Sequence, residues 1–591
     1  MDIKDIEQWN SISPQKTLYI SVFDTVLLMD FCNWCDLYYL MDDYFFRKST
    51  SNLIFHRIME QLDRYGWDGK YKKLEGLGID KAICYELKEH EKELIERYTR
   101  VRKWFYYEYQ RLRSIGCEFV FINNSQLPDE YVKFLLEKKG YGDVAIIKEF
   151  SRDCNEIDLV NISKERIEKI SDSLDYPTKI AAGNLIYYPK ITESKGYSWL
   201  KKIVMNKICD NPFIEWKEGS VANANPYITG YYYMGLHLVG IVKWILEKIT
   251  KPKTKCVYFC ARDCYVIKQV YERFRKYYPD IPEARYLQAS RKLLLPSLYR
   301  NKTDFYQMPD RFDQFAPRTV LMLFWPFNKL AKDCEHIHDE FEGYESELIK
   351  EVLEAGFNYY QNFSDYDTFI SFIDWFWENY YSEEKHMSKL ALLEKYYADI
   401  DENDFIMDLG YSGRLQREIA RICKHRLNVL YVMPDDELLE LMAQNGELHI
   451  STLYNQSLSV SNVFREYLLS EPAPSCVGLK MENKEIIPIF ESEPEKYARS
   501  AGLLEMQEAA IDFAENLLEI MGTDIKKIPF KGWEVSMPWE GYLRQIPEAD
   551  LSMYSEFYQE EYHTGEFIYD SWYYRYPGEH INLPTVNLVK E

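Results

Sequence analysis

Short apolar runs that end in a polar turn and pass into helical periodicity recur along this chain, and they constrain its fold more than any other feature. They lie at residues 18–23, 117–122, 144–147, 178–182, 255–260, 285–289, 405–409 and 428–433. Runs this short and this apolar are typical of parallel strands buried on both faces. Parallel neighbours need long crossovers, usually helices, and the intervening segments have that length and period. The expected class is α/β with doubly wound sheets. At 591 residues the chain exceeds one core, so two or more domains are expected.

The first domain is placed at residues 1–210, with a helical insert at about 30–115 after its first strand. Within that insert ELKEHEKELIERYTRVRKWFYYEYQRL keeps helical period with few breakers. Helices are expected at 128–139, ending at Gly140, and near 162–174. Residues 211–226, rich in Asn, Gly and Pro, read as a linker. A second α/β domain spans 227–480, with an aromatic-dense helical insert at about 300–400. The remainder, 481–591, is an aromatic-rich extension of weak periodicity.

A formal charge of −23 repels phosphate backbones, which disfavours general nucleic-acid binding but leaves room for a local basic pocket. Aromatic content of 16%, with 50 Tyr, suits sugar-rich ligands, and codon bias of an AT-rich genome explains it equally well. The start MDIKDIEQWN is charged and polar, so no signal peptide is expected and the 12 Cys read as reduced cytoplasmic thiols. Cys32 and Cys35 form a CxxC without a second pair at zinc spacing, and Cys256, Cys260 and Cys264 read as small apolar fillers. The most apolar stretch, 231–249, carries His237, Lys243, Glu247 and Lys248, so a buried amphipathic helix is expected and no membrane span.

Residues 16–28, KTLYISVFDTVLL, run an apolar strand into an Asp-Thr turn. This resembles the first motif of the haloacid dehalogenase (HAD) superfamily, in a branch found beside bacterial polysaccharide genes that reads roughly S-F-D-x-F-D-T-L-L. The resemblance covers about residues 15–205 and implies a Rossmann-like domain whose cap is the helical insert. In that family an Asp at the strand's end attacks phosphorus, a Ser or Thr after strand two binds the phosphoryl group, a Lys or Arg neutralises charge, and carboxylates after strand four hold Mg²⁺. Here Ser21 stands for the nucleophile, with Asp24 and Thr25 retained after it. Asn123 in INNSQLP stands for the Ser. Lys148, Arg152 and Asp153 offer charge, and Gly183 and Tyr188 of AGNLIYY replace both metal carboxylates. Together these changes imply a catalytically silent, HAD-like pseudoenzyme domain.

The second domain is similar to the one usually fused in that branch, and it keeps its charged residues better. YFCARDCY at 258–265 brings Arg262 and Asp263, with Cys264 where the branch has Gly. YLQASRK at 286–292 brings Arg291, and MDLGYSGRLQ at 407–416 brings Asp408, Gly410, Ser412, Gly413 and Arg414. The physics of the last segment stands without the family. A strand ends in Asp408, a Gly-rich turn permits close backbone approach, and a helix N-terminus presents N–H groups to an anion. The arrangement resembles the phosphoribosyl-diphosphate loop of phosphoribosyltransferases, a fold that also places a phosphate loop after an earlier strand, where Arg262 and Asp263 fall. Asp408 would bind ribose hydroxyls or a metal, while Arg262, Arg291 and Arg414 would hold phosphate. Ordinary alternatives are a helix cap at Ser412 and structural ion pairs at the arginines. The segment 466–478, EYLLSEPAPSCVG, reads as a packing loop.

Three functional readings follow. In the first, the second domain binds a phosphosugar or nucleotide-sugar and transfers or hydrolyses its glycosyl or phosphoryl group in surface-polysaccharide assembly. In the second, the chain is a non-catalytic scaffold for a phosphorylated ligand or a glycosyltransferase partner. In the third, a Mg²⁺-dependent HAD phosphatase survives on shifted carboxylates such as Asp24. No cofactor is established by these readings, and Mg²⁺ is the one they leave open.

Overall fold

The computed structural model describes residues 17–23, 25–31, 33–148, 156–157, 197–208, 217, 219–220, 222–249, 253–306, 315–332, 337–444, 446–454, 462–490, 502–544, 546–561 and 568–571. The protein is α/β, with two parallel sheets. The chain divides into two compact units: unit 1 gathers Met1–Gly240 and Asp512–Asp550, and unit 2 gathers Ile241–Ile511 and Leu551–Val586.

Unit 1 opens with β1 (Thr17–Ser21), followed by the short β2 (Leu27–Met29). The chain then makes α1 (Leu37–Lys48), α2 (Phe55–Leu62), α3 (Gly66–Gly76) and α4 (Lys81–Arg97) before returning through β3 (Thr99–Val101). β2 and β3 pair antiparallel, so the four helices are an insertion between two adjacent strands. The long helix expected across 86–112 is thereby interrupted. Thr99 and Val101 are β-branched, which favours a strand, and Thr99 is fully buried with its hydroxyl donating to Ile95 O at 2.6 Å. The chain resumes as α5 (Lys103–Ser114), β4 (Glu118–Ile122), α6 (Asp129–Lys138), β5 (Ala145–Ile147) and β6 (Glu156–Ile157). The sheet order is β5-β4-β1-β6, all parallel. The topology reverses direction beside β1, which ends at Ser21. The helix expected at 162–174 and the strand at 178–182 lie outside the described residues.

The insert holds a buried ionic knot. Lys70 Nζ lies 2.7 Å from Glu91 Oε1, with both residues almost fully buried. Tyr71 donates to the other Glu91 oxygen at 2.6 Å, and Lys70 also donates to Tyr38 at 2.8 Å and sits over the Trp67 ring. Each charge is paired and hydrogen-bonded, the condition under which buried charges persist. Unit 1 also includes a run of buried tyrosines in a π-helical turn, Gly230–Met234, which leads into the helix Gly235–Lys248. Tyr231 packs edge-on against Phe513 and Tyr233 stacks on Tyr542. The extension thus contributes ordered helices, Leu503–Met521 and Gly532–Arg544, where weak periodicity left the sequence silent.

Unit 2 is built on β7 (Cys256–Ala261), β8 (Glu283–Gln288), β9 (Phe405–Asp408), β10 (Leu427–Tyr431) and β11 (Leu448–Thr452). All five run parallel in the order β11-β10-β9-β7-β8. α7 (Tyr265–Tyr277) carries the chain from β7 to β8, and α8 (Arg291–Leu298) follows β8. The helical insert then crosses to the far side of β7, ends in α9 (Glu383–Tyr396) and delivers β9. The insert has its own aromatic core around Phe305, Phe324, Phe372 and Phe376. α10 (Arg414–Cys423) joins β9 to β10, and α11 (Asn462–Leu469) precedes the hairpin β12 (Cys476–Glu482) and β13 (Glu485–Phe490). β9 and β10 are buried at every position, as central parallel strands are. Among the described residues no helix is long and apolar enough to cross a membrane.

Candidate functional site

In unit 2 the chain goes from β7 to one side for β8 and to the other for β9. The carboxyl ends of β7 and β9 therefore flank a topological switch point, where open α/β sheets form their ligand crevice. Arg262 and Asp263 follow β7, and Asp408 closes β9. Two of the three charged motifs singled out in the sequence thus meet at adjacent strand ends.

Asp408 is 5% exposed and faces inward. Its carboxylate accepts from Leu409 N at 2.8 Å and from Gln416 Nε2, whose amide oxygen accepts from Tyr431 Oη at 2.7 Å. Burial, then the nearby Asp263, push its acid up to about 8. A carboxyl with this many local donors organises the turn beneath it. The expected ribose- or metal-binding role would compete with those bonds.

Asp263 is held from α11 and the residues after it. Ser470 Oγ donates to Asp263 Oδ1 at 2.8 Å. Glu471 N donates to Arg262 O at 3.0 Å, and Arg262 Nη1 donates to Ala473 O at 3.0 Å. Burial and then Asp263 raise Glu466 to about 8, with Arg291 and Arg465 opposing and Asp408 adding to the rise. Arg465 is only 1% exposed and hydrogen-bonds Tyr411 of the β9–α10 turn. The segment expected to be packing thus supplies Glu466 and Ser470 to the crevice, and Arg465 just before it joins them. Arg291, exposed at the start of α8, acts electrostatically on Glu466. Cys264, in place of the branch's Gly, has φ −96°, so this turn needs no left-handed residue.

The turn from 409 to 413 demands its glycines. Gly410 has φ +151°, and a Cβ there would lie 2.5 Å from Met433 O. Gly413 has φ +74°, and its Cβ would meet Leu438 Cδ1 at 2.8 Å. Gly413 is also the N-cap of α10 and offers no side-chain acceptor, so Ser412 does not cap this helix. The first-turn N–H groups, those of Arg414, Leu415 and Gln416, are the ones an α-helix leaves without intrahelical partners. They carry the positive end of the helix dipole toward the switch point. The Arg414 side chain turns elsewhere, binding Glu437 through Nε at 2.9 Å and Nη2 at 2.8 Å.

At the corresponding strand end in unit 1, the described polar side chains bond to neighbouring groups of the same turns. Ser21 and Asn123 are 3% exposed and Thr25 is fully buried. Asn123 Nδ2 donates to Leu127 O at 2.8 Å and to Asp129 Oδ1 at 2.6 Å, while its Oδ1 accepts from Ser125. Asn124 pairs with the main chain of Phe23 in both directions, at 2.9 and 3.0 Å. Lys148 Nζ donates to Leu127 O at 3.2 Å. Asp24, Arg152, Asp153, Gly183 and Tyr188 lie outside the described residues, as does Cys32. Burial, with the neighbouring carboxylates Asp63, Glu60 and Asp36, pushes the Cys35 thiol up to about 12, so it is no poised thiolate. Cys256, Cys260 and Cys264 are buried, consistent with packing.

Among the described residues no group of three or more His, Cys, Asp or Glu is arranged to hold a metal ion. A Mg²⁺ at the crevice would need a ligand's phosphate oxygens beside Asp263, as Mg²⁺ sites commonly do. No family model and no curated protein matches the chain.

Proposed function

We propose that unit 2 binds a phosphorylated small molecule, a phosphosugar or nucleotide-sugar, at the switch-point crevice, and that unit 1 is a catalytically silent HAD-like domain. The observation that carries the first half is the uncapped N-terminus of α10, reached through two obligatory glycines, beside the arginine-bearing end of β7. Phosphate would sit on the first-turn N–H groups, with Arg262 and Arg291 supplying charge. The protein's own contribution is positioning and electrostatic stabilisation, the main demand of glycosyl or phosphoryl transfer from a phosphate leaving group. The likeness of the sequence at these turns to phosphoribosyltransferase loops supports the same reading, since the turns after β7 and β9 lie at adjacent strand ends. The setting in bacterial surface-polysaccharide assembly rests on the family resemblance.

For unit 1, two features favour a HAD-like fold: β1 as the strand at the reversal, and a helical cap inserted directly after it. Silence is favoured by Ser21 at the nucleophile position and by amides that spend their hydrogen bonds on neighbouring backbone. The test is a thermal-shift series with phosphoribosyl diphosphate, a nucleotide-sugar and a sugar phosphate. A shift abolished by Gly413→Val supports the crevice. A shift insensitive to Gly413→Val and Arg262→Ala refutes it. A scaffold role, with a glycosyltransferase as partner, remains the reading if the ligand binds and no bond is broken.

A further inference from the structure

The insert of unit 1 carries a cluster of ionisable groups that the proposed function does not use. It lies where the turn Trp34–Asp36 and α1 pack against α2. The apolar part of this seam is well made. Phe55 and Met59 of α2 are almost fully buried, and Phe55 stacks on Phe45 of α1 with centroids 4.9 Å apart. Alongside runs a polar row: Asp36, Tyr39 and Asp42 on one segment, His56, Glu60 and Asp63 on the other, each set at helical spacing.

Asp36 is 9% exposed. Its Oδ2 is buried and has no hydrogen-bond partner among the described residues. It is the N-cap residue of α1, yet its side chain makes no capping bond, so the contact that usually favours an ionised Asp at this place is missing. The charged groups around it are mostly acidic. Glu60 faces it from α2 and accepts from Tyr39 Oη at 3.1 Å. Asp63, at the end of α2, accepts from Tyr38 Oη at 2.6 Å and lies 3.5 Å from Lys70 Nζ of α3, which Glu91 also holds. Asp42 lies 2.6 Å from His56 Nδ1, and the His56 ring lies on Tyr39. Cys35, with its acid pushed up to about 12, is a neutral thiol. Burial, then Glu60, push the Asp36 acid up to about 7. Ionised, Asp36 is a buried charge with an unpaired oxygen beside a like charge, and neutral it avoids most of that cost.

We propose that Asp36 is a proton-operated latch on the insert: protonated, it lets α2 lie against α1, and ionised beside Glu60 it loosens α2 and bares Phe55 and Met59. In the opened seam the carboxyl returns to its ordinary range near 4. The closed seam is therefore favoured in full below about pH 4, and that advantage is lost as pH rises to about 7.

The test is amide hydrogen exchange of the full chain at pH 5, 7 and 8, corrected for intrinsic rates, in peptides covering residues 37–62. Opening should increase at least about tenfold from pH 5 to 7 and level off near pH 8. Asp36→Asn should abolish the increase with the seam closed throughout. It leaves Asp42 and His56 in place, so an increase carried by the imidazole would survive it. Glu60→Gln removes the like charge and should reduce the increase, which keeps a readout if Asp36→Asn does not fold. Protection independent of pH in the wild-type protein, an increase that Asp36→Asn keeps in full, or one that Glu60→Gln leaves unreduced overturns the proposal.

Discussion

Replacing Gly410 by Ala probes the loop on which the functional account rests. The added Cβ would stand 2.5 Å from the Met433 carbonyl oxygen, which is backbone and has no rotamer to yield. The residue would also have to hold φ +151°, a region that L side chains rarely adopt. A non-glycine residue held in such a region costs about 1–3 kcal/mol. Overpacking against a fixed neighbour adds about 1–3 kcal/mol. The combined loss is roughly 2–6 kcal/mol, and even its lower bound raises the open population about 30-fold. Because a chain of two units need not unfold in one step, the readout is local: amide hydrogen exchange in peptides covering residues 405–416. Exchange there should accelerate at least about 30-fold in Gly410→Ala. Gly446→Ala, where a Cβ meets nothing within 4 Å, should leave it unchanged. Acceleration below about threefold in Gly410→Ala, or equal acceleration in both variants, would refute the close packing of this turn.

Lys70→Met strands the buried Glu91 carboxyl and should cost unit 1 about 3–5 kcal/mol, seen as a lowered thermal midpoint. Lys70→Met with Glu91→Leu should recover most of the loss, and a double variant no better than the single one counts against the ionic knot. Asp408 and Glu466 have folded pKa values near 8, above their ordinary carboxylate range near 4. The folded state therefore keeps protons that the unfolded state releases. Their contribution is full below about pH 4 and is lost as pH rises toward 8, so urea midpoints of unit 2 should fall between pH 5 and 8, and Asp408→Asn should flatten that fall. Para-nitrophenyl phosphate with Mg²⁺ should show no turnover above background, and turnover abolished by Asp24→Asn would reverse the reading of unit 1.

The strands that frame both switch points were legible because they are short apolar runs buried on both faces. β4, β7, β9 and β10 lie within two residues of the expected positions. β11 escaped because LHIST places His449 and Ser451 among its apolar residues, as an edge strand exposed along part of its length can. The break between α4 and α5 escaped because charged residues on both sides carry helical period through Thr99. At the site, the glycine turn and the arginine–aspartate pair announced themselves through their motifs. Arg465, Glu466 and Ser470 did not, because they sit in and after an ordinary amphipathic helix, and only the fold brings that helix to the ends of β7 and β9. A charged pair at the centre of that helix, Arg465 and Glu466 within EYLL-type apolar surroundings, is the signal that was available. Arg414 misled in the opposite direction, since its partner Glu437 lies on the helix after β10.

The central claim is that phosphate binds in unit 2 at residues 410–414 and that the strand end of unit 1 at residues 21–25 stays empty. A crystal of the full chain soaked with phosphoribosyl diphosphate or a nucleotide-sugar tests it most directly. The account predicts phosphate density on the N–H groups that open α10, within reach of Arg262. Phosphate density at Ser21 and Thr25, with the α10 turn empty, would contradict it.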